Sequence, residues 1–122
     1  MELLINTHGQ TFYYASLEEL VHHCEKKDHC AVILYHEDAE DFIDMMKEKF
    51  ERCISQLIVI GTNIDDVIES AQQYKTLIIM ANNVQEAIQI ALNSSSMTKE
   101  VICVSKSESS QNFTEMVELI TT

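Results

Sequence analysis

The sequence predicts a three-layer α/β domain of the Rossmann-like class, with a mostly parallel sheet of about six strands. Runs such as "CAVILY" and "QLIVIG" are almost entirely apolar, as expected of strands that are covered on both faces. Amphipathic helical segments alternate with these runs, which favours right-handed strand–helix–strand crossovers. The chain of 122 residues has no proline and suits one domain over residues 1–122.

The N-terminal segment predicts an antiparallel hairpin. Met1–Asn6 and Thr11–Ala15 flank the turn sequence "THGQ", in which Gly9 can adopt a positive φ. Ser16 follows as a helix N-cap, and Glu19 three residues later completes a capping box.

The rest of the chain alternates between strand and helix. Helices are predicted to begin at the caps Asn63, Asn83 and Asn112, and the last two have a glutamate at the capping-box spacing. One long helix is predicted over Asp38–Cys53, with Asp38 as its N-cap. The predicted buried strands are Cys30–Tyr35, Gln56–Gly61, Thr76–Ala81 and Glu100–Ser105.

The charge balance argues against nucleic acid and membrane surfaces as partners. Eight Lys and Arg residues stand against 20 Asp and Glu, a formal net charge of −12, and an acidic field repels phosphate backbones and anionic lipid. No apolar stretch approaches the roughly 20 residues of a membrane-spanning helix, and "MELLINTHGQ" lacks the basic region of a signal peptide. We therefore expect a cytoplasmic protein.

The cysteine and histidine positions favour packed, reduced thiols over metal ligands. His22 and His23 precede a cysteine, but neighbouring residues on a helix do not face one another as zinc ligands must. We therefore expect no disulfide, no metal and no other cofactor. The cysteines, which show no CxxC spacing, are Cys24, Cys30, Cys53 and Cys103.

A ligand-binding rim is predicted beyond the carboxyl ends of the strands, where open α/β sheets bind their ligands. The strand ends carry "HED", "GTN", "ANN" and "SKSESS". A phosphate could rest at the helix start that follows "SKSESS", although a solvated cap is the simpler interpretation. The predicted rim residues are Ser16, His36, Asn63, Asn82, Ser105, Lys106 and Ser110.

Several catalytic and nucleotide-binding motifs are missing from the sequence. The chain has only two glycines, and it contains neither GxGxxG nor GxxxxGK[ST]. No GxSxG sequence presents a serine nucleophile, and the strand that ends at Gly61 lacks the acceptor aspartate of a two-component receiver. In "HED" the side chains of adjacent residues diverge, which favours capping and solvation over a catalytic or metal role. No catalytic residue is therefore predicted.

Five strings occur in an order known from one enzyme family: "MELLINTHGQTFYYAS", "CAVILY", "RCISQLIVIGTNIDDVIES", "NNVQEAIQIAL" and "EVICVSKSESSQNF". Together they resemble the C-terminal domain of the Mur ligases, most closely that of the D-glutamate-adding member. In that domain a hairpin leads into DSKATN, a GGxDKG turn follows the next strand, and the last strand ends in SPACASFDxFxNF. The resemblance spans nearly the whole chain and implies a Rossmann-like fold.

The resemblance also implies substrate-contacting positions, most of which differ here. Ser16 matches, but Leu17 stands where the family has a lysine. "YHEDAED" replaces the GGxDKG turn, and "SKSESS" replaces SPACAS while keeping Ser105 and Ser110. Mur ligases also use a central ATP-binding domain with a GKT loop and an N-terminal domain that grips the UDP-sugar, and this sequence contains neither.

Three functions follow as hypotheses. The first is a stand-alone, non-catalytic relative of the Mur ligase C-terminal domain, a binding or regulatory module linked to cell-wall precursor or amino-acid metabolism. The alternative is a protein-interaction subunit or homo-oligomeric scaffold without a small-molecule site, which self-associates through an edge strand such as "ELLIN". A small hydrolase that uses "HED" and the Ser-rich turn ranks last, because no nucleophile has an identifiable base.

Overall fold

A computed structural model describes residues 1–7, 9–24, 29–93, 100–105 and 109–121. Its strands are β1 (Glu2–Thr7), β2 (Gln10–Ala15), β3 (Cys30–Tyr35), β4 (Ile54–Ile60), β5 (Leu77–Ala81) and β6 (Glu100–Val104). Its helices are α1 (Leu17–Cys24), α2 (His36–Met46), α3 (Lys49–Cys53), α4 (Asp65–Ala71), α5 (Val84–Asn93) and α6 (Ser110–Thr121).

The strands form one sheet in the order β1-β2-β6-β3-β4-β5. β1 is antiparallel to β2, and every other neighbouring pair is parallel. The predicted fold class is therefore confirmed, including the N-terminal hairpin, whose Gly9 has a φ of 78°. β1 lies at one edge and carries a β-bulge between Leu3 and Ile5, a feature that discourages further strand pairing.

Two separate cores cover the two faces of the sheet. Successive strand residues point to opposite faces, so Val32 and Leu34 of β3 enter one core while Ala31 and Ile33 enter the other. The first core is closed by α1, α2, α3 and α4, and the second by α5 and α6. Because both faces are covered, the central strands are mostly apolar, as the sequence indicated.

The predicted long helix is wrong in two respects. It begins at His36 rather than at an Asp38 cap: Tyr35 is the N-cap residue without a side-chain cap, and Asp38 lies in the first turn, only 2% exposed. The helix also ends at Met46, because Lys47 adopts a φ of 51° that a helix cannot accommodate, and α3 restarts two residues later.

Two of the five predicted caps are confirmed. Ser16 Oγ accepts a hydrogen bond from the Glu19 N–H (3.1 Å), and Glu19 Oε1 accepts one from the Ser16 N–H (3.0 Å). The Asn83 side chain likewise accepts from the Glu86 N–H, at 2.8 Å. The prediction for Asn112 is wrong, because α6 begins two residues earlier and Ser109 Oγ accepts the hydrogen bond from the Asn112 N–H, at 3.2 Å.

All four cysteines are buried and carry free thiols. β4 begins at Ile54, two residues before the predicted start, because Ile54 pairs with Cys30 of β3. Within the described ranges, no helix is both long and apolar enough to cross a membrane.

Candidate functional site

The connections around β6 open a crevice at the carboxyl edge of the sheet. β2 and β3, which flank β6, are followed by α1 and α2 on one face, whereas β6 is followed by α6 on the other. The chain therefore leaves neighbouring strands in opposite directions, and such topological switch points are where open α/β sheets bind ligands.

A groove of about 590 Å³ lies in this position. It brings together two of the predicted rim residues, Ser16 at the end of β2 and Ser105 at the end of β6. We call it the β6 groove, and its lining residues are Ser16, Leu17, Glu18, Asp41, Asp44, Met45, Val104 and Ser105.

Local hydrogen bonds fix both ends of the β6 groove. The capping box holds Ser16 at the start of α1, and Tyr14 Oη donates a hydrogen bond to the carbonyl oxygen of Ser105 at 2.9 Å. The ring of Tyr14 in turn lies 5.9 Å from that of Phe113, which is fully buried in the second core. Both serines are therefore attached to rigid elements.

The β6 groove combines carboxylates with the apolar side chains of Leu17, Met45 and Val104. Asp41, Asp44 and Met45 lie at i, i+3 and i+4 on α2, which puts them on one helix face, and all three are exposed, Met45 by 40%. Glu18 adds a third carboxylate from α1. This arrangement favours a ligand that combines a positive charge with an apolar body. Sequence reasoning missed the two aspartates, although their helical spacing was visible.

His36 and Asn63 belong to a second cluster, above β3 and β4. His36 Nε2 lies 2.8 and 2.9 Å from the two carboxylate oxygens of Asp66, and this contact with the imidazole lowers the pKa of the Asp66 carboxyl. The N-cap of α4 is Ile64 rather than the predicted Asn63, whose side chain accepts a hydrogen bond from the Asp65 N–H at 3.1 Å one residue before that cap. Neither residue lines the β6 groove.

Asn82 lines a third site, a shallow depression of about 400 Å³ beside Tyr35 and Met116. Its side-chain amide donates to Glu86 Oε2 at 3.1 Å. Ser110 is the first residue of α6, and its carbonyl oxygen accepts a hydrogen bond from Thr114 Oγ1. Lys106 lies outside the described residues. The structure therefore divides the described rim residues among separate sites, and of these residues only Ser16 and Ser105 line the β6 groove.

Comparison with known proteins identifies the architecture. No protein-family model and no curated protein matches this sequence. A solved structure does: a domain of a protein from Haemophilus ducreyi described as a UDP-N-acetylmuramate:L-alanyl-gamma-D-glutamyl-meso-diaminopimelate ligase, with a TM-score of 0.63 over 98% of both chains at 8% identity. This chain has the fold of a Mur ligase domain.

The Mur ligase-like fold agrees with the expectation from the strand and turn strings. At 8% identity the likeness concerns the fold alone, so the relation to the D-glutamate-adding member stays a prediction. Within this fold Leu17, the residue that stands where the family has a lysine, lines the β6 groove beside Ser16. An apolar side chain thus occupies a position where the resemblance implied a cation.

Proposed function

We propose that this chain is a non-catalytic, Mur ligase-related binding module whose β6 groove takes an amino acid or short peptide with an exposed ammonium group. The observation that carries the proposal is the groove itself. It lies at the switch point of the sheet and joins two serine hydroxyls to the carboxylates of Glu18, Asp41 and Asp44.

The charge of the β6 groove selects among the ligands that the fold suggests. Three carboxylates in a chain of net charge −12 attract an ammonium group and repel phosphates. The solved neighbour is named for a peptide that ends in diaminopimelate, a diamino acid. We therefore propose cell-wall precursor peptides with a free amine as the ligand class, and not ATP or a UDP-sugar.

A non-catalytic role is supported by the residues that replace the family motifs. The 122 residues contain no GKT loop to hold a γ-phosphate. Leu17 cannot supply the positive charge of a lysine, and Ser16 Oγ accepts the capping hydrogen bond of α1. With these changes the groove keeps a binding surface but has no group among its described residues that could activate the carboxylate of a substrate.

Amide NMR with separate ligands tests this proposal. We expect meso-diaminopimelate, or a tripeptide that ends in it, to shift the amides of Leu17, Glu18 and Ser105 at millimolar concentration. D-glutamate, ATP and UDP-muramyl peptide are the comparison ligands, and the anionic nucleotides should leave these amides unchanged.

Charge variants make the test specific to the β6 groove. Asp41→Asn and Asp44→Asn should each weaken binding of the amine ligand by a factor of about 1.4 to 5, because exposed ion pairs contribute about 0.2–1 kcal/mol. The matched control is Glu118→Gln, an exposed carboxylate on α6 at the other face of the sheet, which should have no effect. Equal effects of all three variants, or no shift with any ligand, would refute the assigned site, and hydrolysis of ATP would refute the non-catalytic role.

A homo-oligomeric scaffold is the second candidate, and a specific edge favours it. β5 forms the sheet edge opposite β1, and its Leu77 and Met80 side chains are 58% and 43% exposed. An exposed apolar edge strand is a surface on which a second copy can add its own edge. Light scattering coupled to size exclusion should then show a dimer that Leu77→Lys converts to a monomer, whereas a wild-type monomer at every concentration would rule this candidate out.

A further inference from the structure

Three potential metal ligands meet at the amino edge of the sheet, at the end opposite the β6 groove. His23 lies in the last turn of α1, Cys30 is the first residue of β3, and Glu100 is the first residue of β6. Glu100 Oε2 lies 3.1 Å from His23 Nε2 and 3.6 Å from Cys30 Sγ. All three ligand atoms lie within 4.8 Å of one another.

The pleat of the sheet explains why these residues converge. β3 and β6 are adjacent and in register, with Ala31 opposite Val101, so Cys30 and Glu100 are neighbours at the strand starts. Cys30 and Glu100 each lie two residues before a residue that faces the first core, Val32 and Ile102 respectively. Because side chains two apart on a strand point to the same face, Cys30 and Glu100 lie on that face as well. α1 packs on this same face and brings the imidazole of His23 against them.

We propose that His23, Cys30 and Glu100 bind a zinc ion, with a water molecule in the fourth position. In tetrahedral zinc sites the metal lies about 2.0–2.1 Å from nitrogen, about 2.1 Å from oxygen and about 2.3 Å from sulfur. These lengths place nitrogen and oxygen ligands about 3.4 Å apart and sulfur and oxygen ligands about 3.6 Å apart. The corresponding separations here are 3.1 and 3.6 Å, so an ion could enter with small side-chain movements.

Cys24 lies beside the proposed ligands and supports them from outside the metal site. Its thiol forms a hydrogen bond with that of Cys30. The Cys53 thiol donates a hydrogen bond to the backbone carbonyl of Cys24 at 2.9 Å, which joins the end of α1 to the end of α3. Outer contacts of this kind orient metal ligands.

Zinc binding here would exchange a thiol proton for the metal. The Cys30 thiol loses its proton to solvent as the zinc–sulfur bond forms, so the metal is held by one thiolate, one carboxylate and a neutral imidazole. The side chains of His23 and Glu100 are 18% and 20% exposed, whereas Cys30 is buried, so the ion can reach the thiol past the other two ligands. The three protein ligands attach α1 to β3 and β6, and water completes the tetrahedron.

The sequence-based expectation of no metal rested on the helical neighbours His22 and His23 and on the lack of CxxC spacing among the cysteines. His22 and His23 do not face one another, and that argument still applies to the pair. The ligands proposed here come from one helix and two strands, so their separations along the sequence give no signal. Without metal the same residues form an ordinary hydrogen-bonded group. The experiment has to distinguish this group from a metal site.

Cobalt(II) titration of the reduced, metal-free protein makes that distinction. We expect visible ligand-field bands of a tetrahedral ion, a near-ultraviolet thiolate-to-cobalt charge-transfer band, and loss of both when zinc is added. Glu100→Gln keeps the shape of the side chain, and His23→Gln keeps its polarity. Each should weaken cobalt binding about 100-fold or more, because loss of a contact that merely supports a ligand already lowers metal affinity 10–100-fold. Cys30→Ser should abolish the charge-transfer band, because Cys30 supplies the thiolate.

His22→Gln is the matched control, because it removes the adjacent imidazole of the same helix. It should bind cobalt as the wild type does. Absence of a charge-transfer band in the wild type, equal loss with His22→Gln and His23→Gln, or an unchanged band in Cys30→Ser would overturn the site. Far-ultraviolet circular dichroism of each variant excludes unfolding as the cause of a lost signal.

Discussion

Replacement of Lys47 by glycine should stabilise this protein, although glycine normally destabilises exposed positions near helices. Lys47 has φ 51° and ψ −131°, a conformation that glycine adopts freely and a side chain with a Cβ does not. Such conformations cost about 1–3 kcal/mol, and glycine forfeits about 0.4–1 kcal/mol through the greater flexibility of the unfolded chain. The difference predicts a net gain of about 1 kcal/mol in the free energy of unfolding for Lys47→Gly.

Urea unfolding measures this gain directly. With a slope of about 2 kcal/mol/M, the midpoint should rise by about 0.5 M. Lys47→Ala keeps the Cβ and should change the midpoint little, whereas Glu40→Gly, at an exposed position inside α2, should cost about 1 kcal/mol. If Lys47→Gly destabilises the protein as much as Glu40→Gly does, then Lys47 continues the helix and the break between α2 and α3 is wrong.

Three further predictions test local features of the carboxyl edge. Ser16→Ala removes the N-cap of α1 and should cost about 1 kcal/mol in urea unfolding, with Ser70→Ala as an uncapped control; no loss would show that the capping box contributes nothing. Gly61→Ala should lower the free energy of unfolding by about 1–2 kcal/mol, because a new Cβ would lie 3.0 Å from His36 Cβ. An unchanged stability would mean that the start of α2 moves to make room for the methyl group. The contact with His36 lowers the pKa of Asp66 below its ordinary 3.8. The ionised Asp66 carboxylate therefore stabilises the fold at pH values above 3.8, and this contribution is lost as the pH falls through the lowered pKa. The stability difference between the wild type and Asp66→Asn should therefore shrink as the pH falls from about 5 through the lowered pKa, and a difference that grows over this interval would contradict the sign.

Local signals predicted most of the secondary structure correctly. Ser16 with Glu19 and Asn83 with Glu86 act within one helical turn, so the sequence shows both the donor and the acceptor. The break at Lys47 lacks such a signal, because no glycine or proline marks it and the apolar stripe continues from Met46 to Phe50. Phe50 packs edge-on against Phe42 with 5.9 Å between ring centroids, which is a tertiary contact that a helical pattern alone does not predict.

The sequence by itself determined the layers of this protein and the direction of its strands. Apolar runs must be covered on both faces, and short crossovers allow one handedness, so few arrangements remain. Only the tertiary structure decided which polar residues meet. Ser16 joins Ser105 because β2 and β6 become neighbours, while His36 contacts Asp66 above other strands. Such contacts depend on strand order and on the rotation of each helix, which many distant side chains set together and no short stretch of sequence encodes.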